Sequence, residues 1–176
     1  MFIKDSIRGD IAYAMQVRGV PKWEERTDEL LERFRLKALE GRDGRLMSGG
    51  QMRRASLAIG VALEPGVLLL DEPTANLDIA TRREIMAVLS DMEDIIQTAV
   101  IATHDMQLVC QWAERIIVLC NGQVVADGAR DEIFARTDVV ERVGIRPPEI
   151  FSMAQALDSR SMCYTIDEFL SSFQEV

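Results

Sequence analysis

Two short runs of purely apolar residues, separated by one predicted helix, constrain the fold of this chain most strongly. Residues 67–70 lie between Pro65-Gly66 and Asp71, and residues 99–102 end at Thr103. Continuous hydrophobicity over four residues is typical of parallel strands that are buried on both faces. Between the runs, residues 79–92 carry charged and apolar side chains at helical spacing, after Asp78 as a predicted N-cap. This order of strand, helix and strand predicts a βαβ unit and an α/β fold.

The segments on either side of this unit have different patterns. Residues 1–45 are charged and predicted helical, with apolar side chains at helical spacing until Gly41 and Gly44 break the pattern. Residues 116–120 and 123–126 flank Asn121-Gly122, a dipeptide that favours a two-residue hairpin turn. From residue 131 onward the pattern predicts short helices, and Thr165 with Glu168 predicts a capping box for the last one.

Composition excludes several classes of protein. The chain has 176 residues, of which 48% are hydrophobic, and this is enough for one globular domain with a core. Its longest uncharged apolar stretch, residues 57–63, is far shorter than the roughly 20 residues of a membrane-spanning helix. The net charge of −9 argues against a nucleic-acid-binding surface. The three cysteines cannot all pair, so we expect reduced thiols and a cytoplasmic protein.

A Ser-Gly-Gly-Gln sequence at residues 48–51 precedes a predicted helix that begins at Gln51. Such a turn points unpaired N–H groups and the positive end of the helix dipole outward, which suits a phosphate. The alternative is a plain glycine-rich turn that only starts a helix. Two arginines of that helix, Arg53 and Arg54, are expected on its solvated face, and the alternative is that one of them contacts a partner.

Polar residues follow both predicted strands. Asp71 and Glu72 come directly after the first strand, at the carboxyl edge where α/β sheets bind ligands. There Asp71 would hold Mg²⁺ and Glu72 would orient a water that attacks a γ-phosphate. His104, the one histidine of the sequence, follows the second strand and is expected at the same edge. The alternatives are a solvated acidic strand end and a structural histidine.

Taken in this order, these residues resemble the second half of an ATP-binding-cassette (ABC) ATPase. Residues 46–51 are similar to the family signature, 67–72 to the Walker B strand, 75–78 to the D-loop, and His104 to the switch histidine; the likeness covers residues 1–130. It implies a P-loop NTPase fold, with a RecA-like core, a helical subdomain, and ATP sandwiched between two chains packed head to tail. It also implies catalytic roles for Glu72 and His104, a Mg²⁺ ligand in Asp71, and nucleotide contacts from Ser48, Gly49, Gly50, Gln51 and Asp78.

A finer likeness is to the ATPases of energy-coupling-factor (cobalt or vitamin-type) importers. Residues 2–7 and 18–21 resemble their helical subdomain, and residues 144–150 the start of their C-terminal extension. This implies a second ATPase chain, a transmembrane coupling subunit and a substrate-binding membrane subunit as partners, at the cytoplasmic face of the membrane. The predicted domains are a helical subdomain at 1–47, the core at 48–130 and a helical extension at 131–176.

The sequence lacks one element of an ABC ATPase. The phosphate loop ends in Gly-Lys-Ser/Thr, but each of the three lysines, Lys4, Lys22 and Lys37, follows a residue other than glycine. We therefore expect an N-terminally truncated cassette whose sheet lacks its leading strands and exposes apolar area. The leading hypothesis is ATP hydrolysis that drives import. The alternative is a hydrolysis-incompetent half that completes or regulates a partner's nucleotide site.

Overall fold

The computed structural model describes residues 2–92, 95–158 and 162–173. It divides the chain into two compact units, Met1–Ala102 and Thr103–Val176, which are described in turn. The predicted division at residues 47 and 130 stays a prediction.

The first unit begins with two helices that share one apolar core. Helix α1 spans Ile7–Val17 and helix α2 spans Trp23–Arg33, and two short 3₁₀ helices follow at Lys37–Leu39 and Gly44–Leu46. Helix α1 packs against α2 and against α3, which spans Gly49–Val61. The side chains at this junction have no exposed area: Ile7, Ile11, Met15, Leu30, Leu31, Phe34 and Leu36. The helical spacing of these residues in the sequence is therefore explained by burial of one face of each helix.

A four-residue ion-pair network joins these helices at the surface. The Arg8 guanidinium pairs with both Asp28 carboxylate oxygens, at 2.8 and 3.0 Å, and with Glu40 at 2.7 Å. The Lys37 ammonium lies 2.7 Å from the same Asp28 carboxylate. The hydrogen bond from Arg8 is the largest influence on both carboxyl groups and lowers the pKa of Asp28 and of Glu40.

We expect this network to make stability depend on pH in acid. The folded pKa of both carboxyl groups lies below the ordinary values of 3.8 and 4.5. Their contribution to the free energy of unfolding is therefore fully present at pH values above those ordinary values. It is lost as the pH falls through the lower folded values. The midpoint of urea unfolding should therefore fall more steeply below about pH 5 in the wild type than in Arg8→Met. Parallel pH profiles of the two proteins would contradict this.

The predicted βαβ unit is confirmed. Strand β1 spans Val67–Asp71, helix α4 spans Ile79–Ser90 and strand β2 spans Thr98–Ala102. The two strands are parallel, with Val67 opposite Thr98 and Asp71 opposite Ala102. Helix α4 packs against α3, and Ile85 and Leu89 of α4 have no exposed area.

One face of the β1–β2 sheet is exposed, so the prediction of strands covered on both faces is wrong for this chain. Leu68 is buried, whereas Val67, Leu69 and Val100 expose 56%, 73% and 52% of their area. Within the described residues the sheet consists of β1 and β2 alone. This is the exposed apolar area expected of a sheet that lacks its leading strands.

The second unit contains a hairpin and five helices among the described residues. Helix α5 spans Met106–Trp112, strands β3 and β4 span Ile116–Cys120 and Gln123–Gly128, and the remaining helices are α6 Arg130–Ala135, α7 Thr137–Val143, α8 Glu149–Leu157 and α9 Ile166–Phe173. The strands are antiparallel. Asn121 and Gly122 both have positive φ, 49° and 74°, as the predicted two-residue turn requires.

An aromatic cluster attaches the C-terminal helices to the rest of this unit. The Tyr164 ring stacks on Phe151 at a centroid distance of 4.9 Å, and the Arg130 guanidinium lies 4.3 Å above the same ring. The predicted capping box of α9 is confirmed, since Glu168 N–H donates to the Thr165 hydroxyl and Glu168 accepts from Thr165 N–H, both at 3.1 Å. The three cysteines are free thiols, as expected.

Candidate nucleotide site

The Ser-Gly-Gly-Gln turn forms the N-terminus of helix α3, which begins at Gly49, two residues earlier than predicted. The Ser48 hydroxyl accepts from the Gln51 N–H at 3.4 Å, and the Gln51 side-chain oxygen accepts from the Ser48 N–H at 3.1 Å. This reciprocal capping box fixes the turn. Ser48 and Gly49 are exposed, and the first N–H groups of a helix have no partner within it. The turn therefore presents N–H donors and the positive helix end to the surface.

Helix α4 begins beside this turn. Its N-cap Asp78 accepts from the Thr81 N–H at 2.9 Å and from the Thr81 hydroxyl at 2.7 Å, which confirms the predicted cap. The Thr81 N–H bond, followed by the hydroxyl bond, lowers the pKa of the Asp78 carboxyl. A Cβ atom placed on Gly50 would lie only 2.3 Å from Thr81 Cγ2. The two helix N-termini therefore approach each other at a point where Gly50 has no room for a side chain.

The two strand-end carboxylates differ in their surroundings. Asp71 is the last residue of β1 and is exposed, whereas Glu72 is half-buried. Glu72 has a φ of 44°, in the left-handed region that residues other than glycine seldom adopt. Its N–H donates to the Ala102 carbonyl at 2.9 Å, and its carbonyl accepts from the Ala75 N–H at 3.2 Å. A tight turn directly after β1 thus carries Glu72 at the carboxyl edge of the sheet.

Two residues of this region, Thr81 and Arg53, were not predicted to belong to the site. Thr81 lies against Gly50, and the Arg53 guanidinium donates to the Glu72 carbonyl at 3.1 Å. The spacing of Asp78 and Thr81 is compatible with an N-cap, but no pattern in the sequence indicates which residue packs on Gly50. Contacts between α3 and its neighbours arise from tertiary packing, so the sequence contains no local signal for them.

His104 lies two residues after β2, in the second compact unit, and its side chain is exposed. The residue after it, Asp105, caps helix α5 by accepting from the N–H groups of Gln107 and Leu108. The first unit alone thus carries the turn at 48–51, Asp71, Glu72 and Asp78. The approach of His104 to Glu72 stays a prediction.

The chain is similar to known proteins of one kind. The ABC transporter family profile matches residues 4–75. An energy-coupling-factor transporter ATP-binding protein, EcfA2 of Streptococcus sanguinis, is 35% identical over 94% of this chain and 62% of its own length. The structure of CbiO1 from Clostridium perfringens, part of the ABC transporter complex CbiONQ, matches 85% of this chain and 61% of that chain with a TM-score of 0.70 and 32% identity. The chain contains part of an ABC transporter ATPase domain.

This chain is also similar to an ATP-binding protein of cobalt import. The cobalt import ATP-binding protein CbiO of Rhodobacter capsulatus is 36% identical over 73% of this chain and 46% of its own length. The chain therefore spans about a third to three fifths of the length of the relatives it matches, and it is a partial ABC cassette of mixed α/β fold. Throughout the described residues, every helix is too short or too polar to cross a lipid bilayer.

The carboxylate of Asp71, at the end of β1, fits a Mg²⁺ ion that is bound together with a nucleotide. Carboxylate oxygens are hard donors of the kind that Mg²⁺ prefers, and Asp71 is exposed at the strand end. Among the described residues, no three His, Cys, Asp or Glu side chains converge as a metal cage. Magnesium commonly binds through one or two carboxylates together with substrate phosphates and water, and Asp71 fits that mode.

Proposed function

We propose that this chain carries ATP-binding and ATP-hydrolysing residues of an ABC-type importer of the energy-coupling-factor class, which works as a head-to-tail dimer with a second ATPase chain. The observation that carries the proposal is the pair of helix N-termini, capped by Ser48 and Asp78, that meet where Gly50 lies against Thr81. The α3 terminus presents N–H donors and a positive dipole end, which favour a bound anion, whereas the α4 terminus beside it is already capped by the Asp78 carboxylate.

The signature turn would face the triphosphate across the dimer interface. Ser48, Gly49, Gly50 and Gln51 would contact the phosphates through backbone N–H groups and the Ser48 hydroxyl. Open space around Gly49 supports this role, since an added Cβ would meet nothing within 4 Å. Leu46 exposes 85% of its area beside the turn, and burial against a partner chain would remove that area from water.

The strand-end residues would act on the γ-phosphate. Asp71 would hold Mg²⁺, which neutralises charge on the phosphates when it is bound. Glu72 would accept a hydrogen bond from the attacking water and orient it in line with the bond that breaks. The proposal also gives His104 the role of the switch histidine, and Asp78 reaches the nucleotide from the start of α4.

The proposed partners follow from the relatives and from exposed apolar side chains. Helix α1 exposes Tyr13 at 37% and Val17 at 69%, and residues 7–20 would contact a transmembrane coupling subunit. The solved relative, CbiO1, is part of a complex called CbiONQ. We infer that this chain likewise works with a coupling subunit and a substrate-binding membrane subunit, and lies peripherally on the cytoplasmic face of the membrane.

Substitution of Ser48 tests the proposed dimer. We expect Ser48→Arg in the full-length gene product, purified with its ATPase partner, to remove most ATP turnover because a bulky side chain would occupy the phosphate position. The matched control is Ser56→Arg, which changes an exposed serine farther along the same helix. Turnover that is equal in the two variants and the wild type would refute the proposed interface.

The 176-residue chain by itself is expected to bind ATP weakly and to hydrolyse it negligibly. Its sequence has no Gly-Lys-Ser/Thr phosphate loop, so it lacks the usual cradle for the β- and γ-phosphates. Isothermal titration with ATP and a phosphate-release assay would measure both quantities. Magnesium-dependent turnover by this chain alone that disappears in Glu72→Gln would contradict the expectation.

A further inference from the structure

The backbone of Glu72 is held in a rarely populated conformation by contacts from three directions. Its φ of 44° is costly for a residue with a side chain, and such residues persist only where the surroundings enforce them. The Ala102 carbonyl accepts from its N–H at 2.9 Å, and the Ala75 N–H donates to its carbonyl at 3.2 Å. The third contact is the Arg53 guanidinium, which donates to that same carbonyl at 3.1 Å.

Arg53 differs from the other two groups because it belongs to helix α3, which begins at the Ser-Gly-Gly-Gln turn. It lies on α3, five residues after the N-cap Ser48, and its side chain is half-buried. The next residue, Arg54, is buried and pairs with Glu84 of α4. Successive helix residues point about 100° apart, so the two arginines connect α3 to different elements. The expectation that both lie on a solvated face is therefore wrong.

We propose that Arg53 is a positioning residue for Glu72, and this rests on the proposed role of Glu72 in hydrolysis. The direction of the Glu72 side chain depends on the orientation of the peptides on either side of it. A guanidinium donor on the carbonyl of Glu72 fixes one of these peptides. Because the donor belongs to the helix whose N-terminus would meet ATP, Arg53 links the position of the signature turn to the direction of the Glu72 carboxylate.

The test compares three variants of the full-length gene product in complex with its ATPase partner. Arg53→Met keeps an unbranched apolar stem but has no donor, and Arg53→Lys keeps a cationic donor. We expect Arg53→Met to lower kcat about ten- to a hundredfold, as for a catalytic group that is slightly misplaced, with little change in the KM for ATP. Arg53→Lys should retain most of kcat. Arg83→Met, at an exposed arginine of α4, is the control and should match the wild type.

A second measurement detects the hydrogen bond between Arg53 and the Glu72 carbonyl in the absence of ATP. Hydrogen exchange at the Ala75 amide should be faster in Arg53→Met than in Arg83→Met, because the turn at residues 72–75 loses one of its supports. If Glu72→Gln abolishes turnover while Arg53→Met leaves kcat unchanged, this proposal alone is overturned. Equal loss of kcat in the Lys and Met variants would also overturn it. If Glu72→Gln keeps full turnover, the proposed function fails and this proposal fails with it, even where hydrogen exchange still shows the Arg53 contact.

Discussion

Replacing Glu72 with glutamine is expected to lower kcat for ATP hydrolysis about a hundred- to ten-thousandfold in the assembled full-length protein, the range for loss of a positioned acid–base group. Glutamine has the same length as glutamate and fits the same half-buried position at the end of β1. Its neutral amide accepts a hydrogen bond from the attacking water more weakly than a carboxylate does and cannot take up a proton, so the chemical step slows. Nucleotide affinity should change little, because the phosphate contacts are assigned to other residues.

The control for this experiment is Glu141→Gln, an exposed glutamate of α7 that loses the same charge. Phosphate release under saturating ATP gives kcat, and equilibrium binding of a fluorescent ATP analogue gives affinity. A Glu72→Gln protein that keeps its kcat would remove Glu72 from the mechanism. If the ATP affinity of Glu72→Gln instead falls as much as its kcat, Glu72 contributes to nucleotide binding.

Short-range signals predicted much of the fold and part of the site. Three predictions that depend on a few neighbouring residues are confirmed: Asp78 as the cap of α4, the Asn121-Gly122 turn and the βαβ order. Local hydrogen bonds and φ preferences decide such features, so they can be inferred from the sequence alone. The capping residues of the candidate site, Ser48 and Gln51, belong to the same class of feature.

The features that were missed depend on packing between elements. The apolar run of β1 by itself predicts burial of both faces, and the exposure of Leu69 is expected only from the absence of a phosphate loop in the sequence, because burial depends on which elements cover the sheet. The hydrogen bond from Arg53 to the Glu72 carbonyl joins residues 19 positions apart in the sequence. The presence of a charged residue on a predicted helix does not indicate which distant group it contacts. The position of His104 relative to Glu72 depends on how the two units are arranged, which local patterns do not encode.

The second large effect is expected from Gly50→Ala. The added Cβ would lie 2.3 Å from Thr81 Cγ2, closer than any van der Waals contact allows. Either α3 or α4 must shift at its N-terminus or the Thr81 side chain must rotate away from its bond to Asp78, and overpacking of this kind costs about 1–3 kcal/mol in unfolding free energy. The same shift would separate the two capped termini that are proposed to face ATP, so turnover should fall as well. Urea unfolding and phosphate release measure the two effects.

Two further variants decide whether the Thr81 methyl group is the cause. Gly49→Ala is the matched control, because a Cβ there meets no atom within 4 Å and alanine favours a helix over glycine. It should leave stability unchanged or raised, while turnover falls if Gly49 faces phosphate. Thr81→Ser removes Cγ2 but keeps the hydroxyl that donates to Asp78, so Gly50→Ala combined with Thr81→Ser should regain stability. If the double variant is as unstable as Gly50→Ala alone, then steric contact with Thr81 is not what requires glycine at position 50.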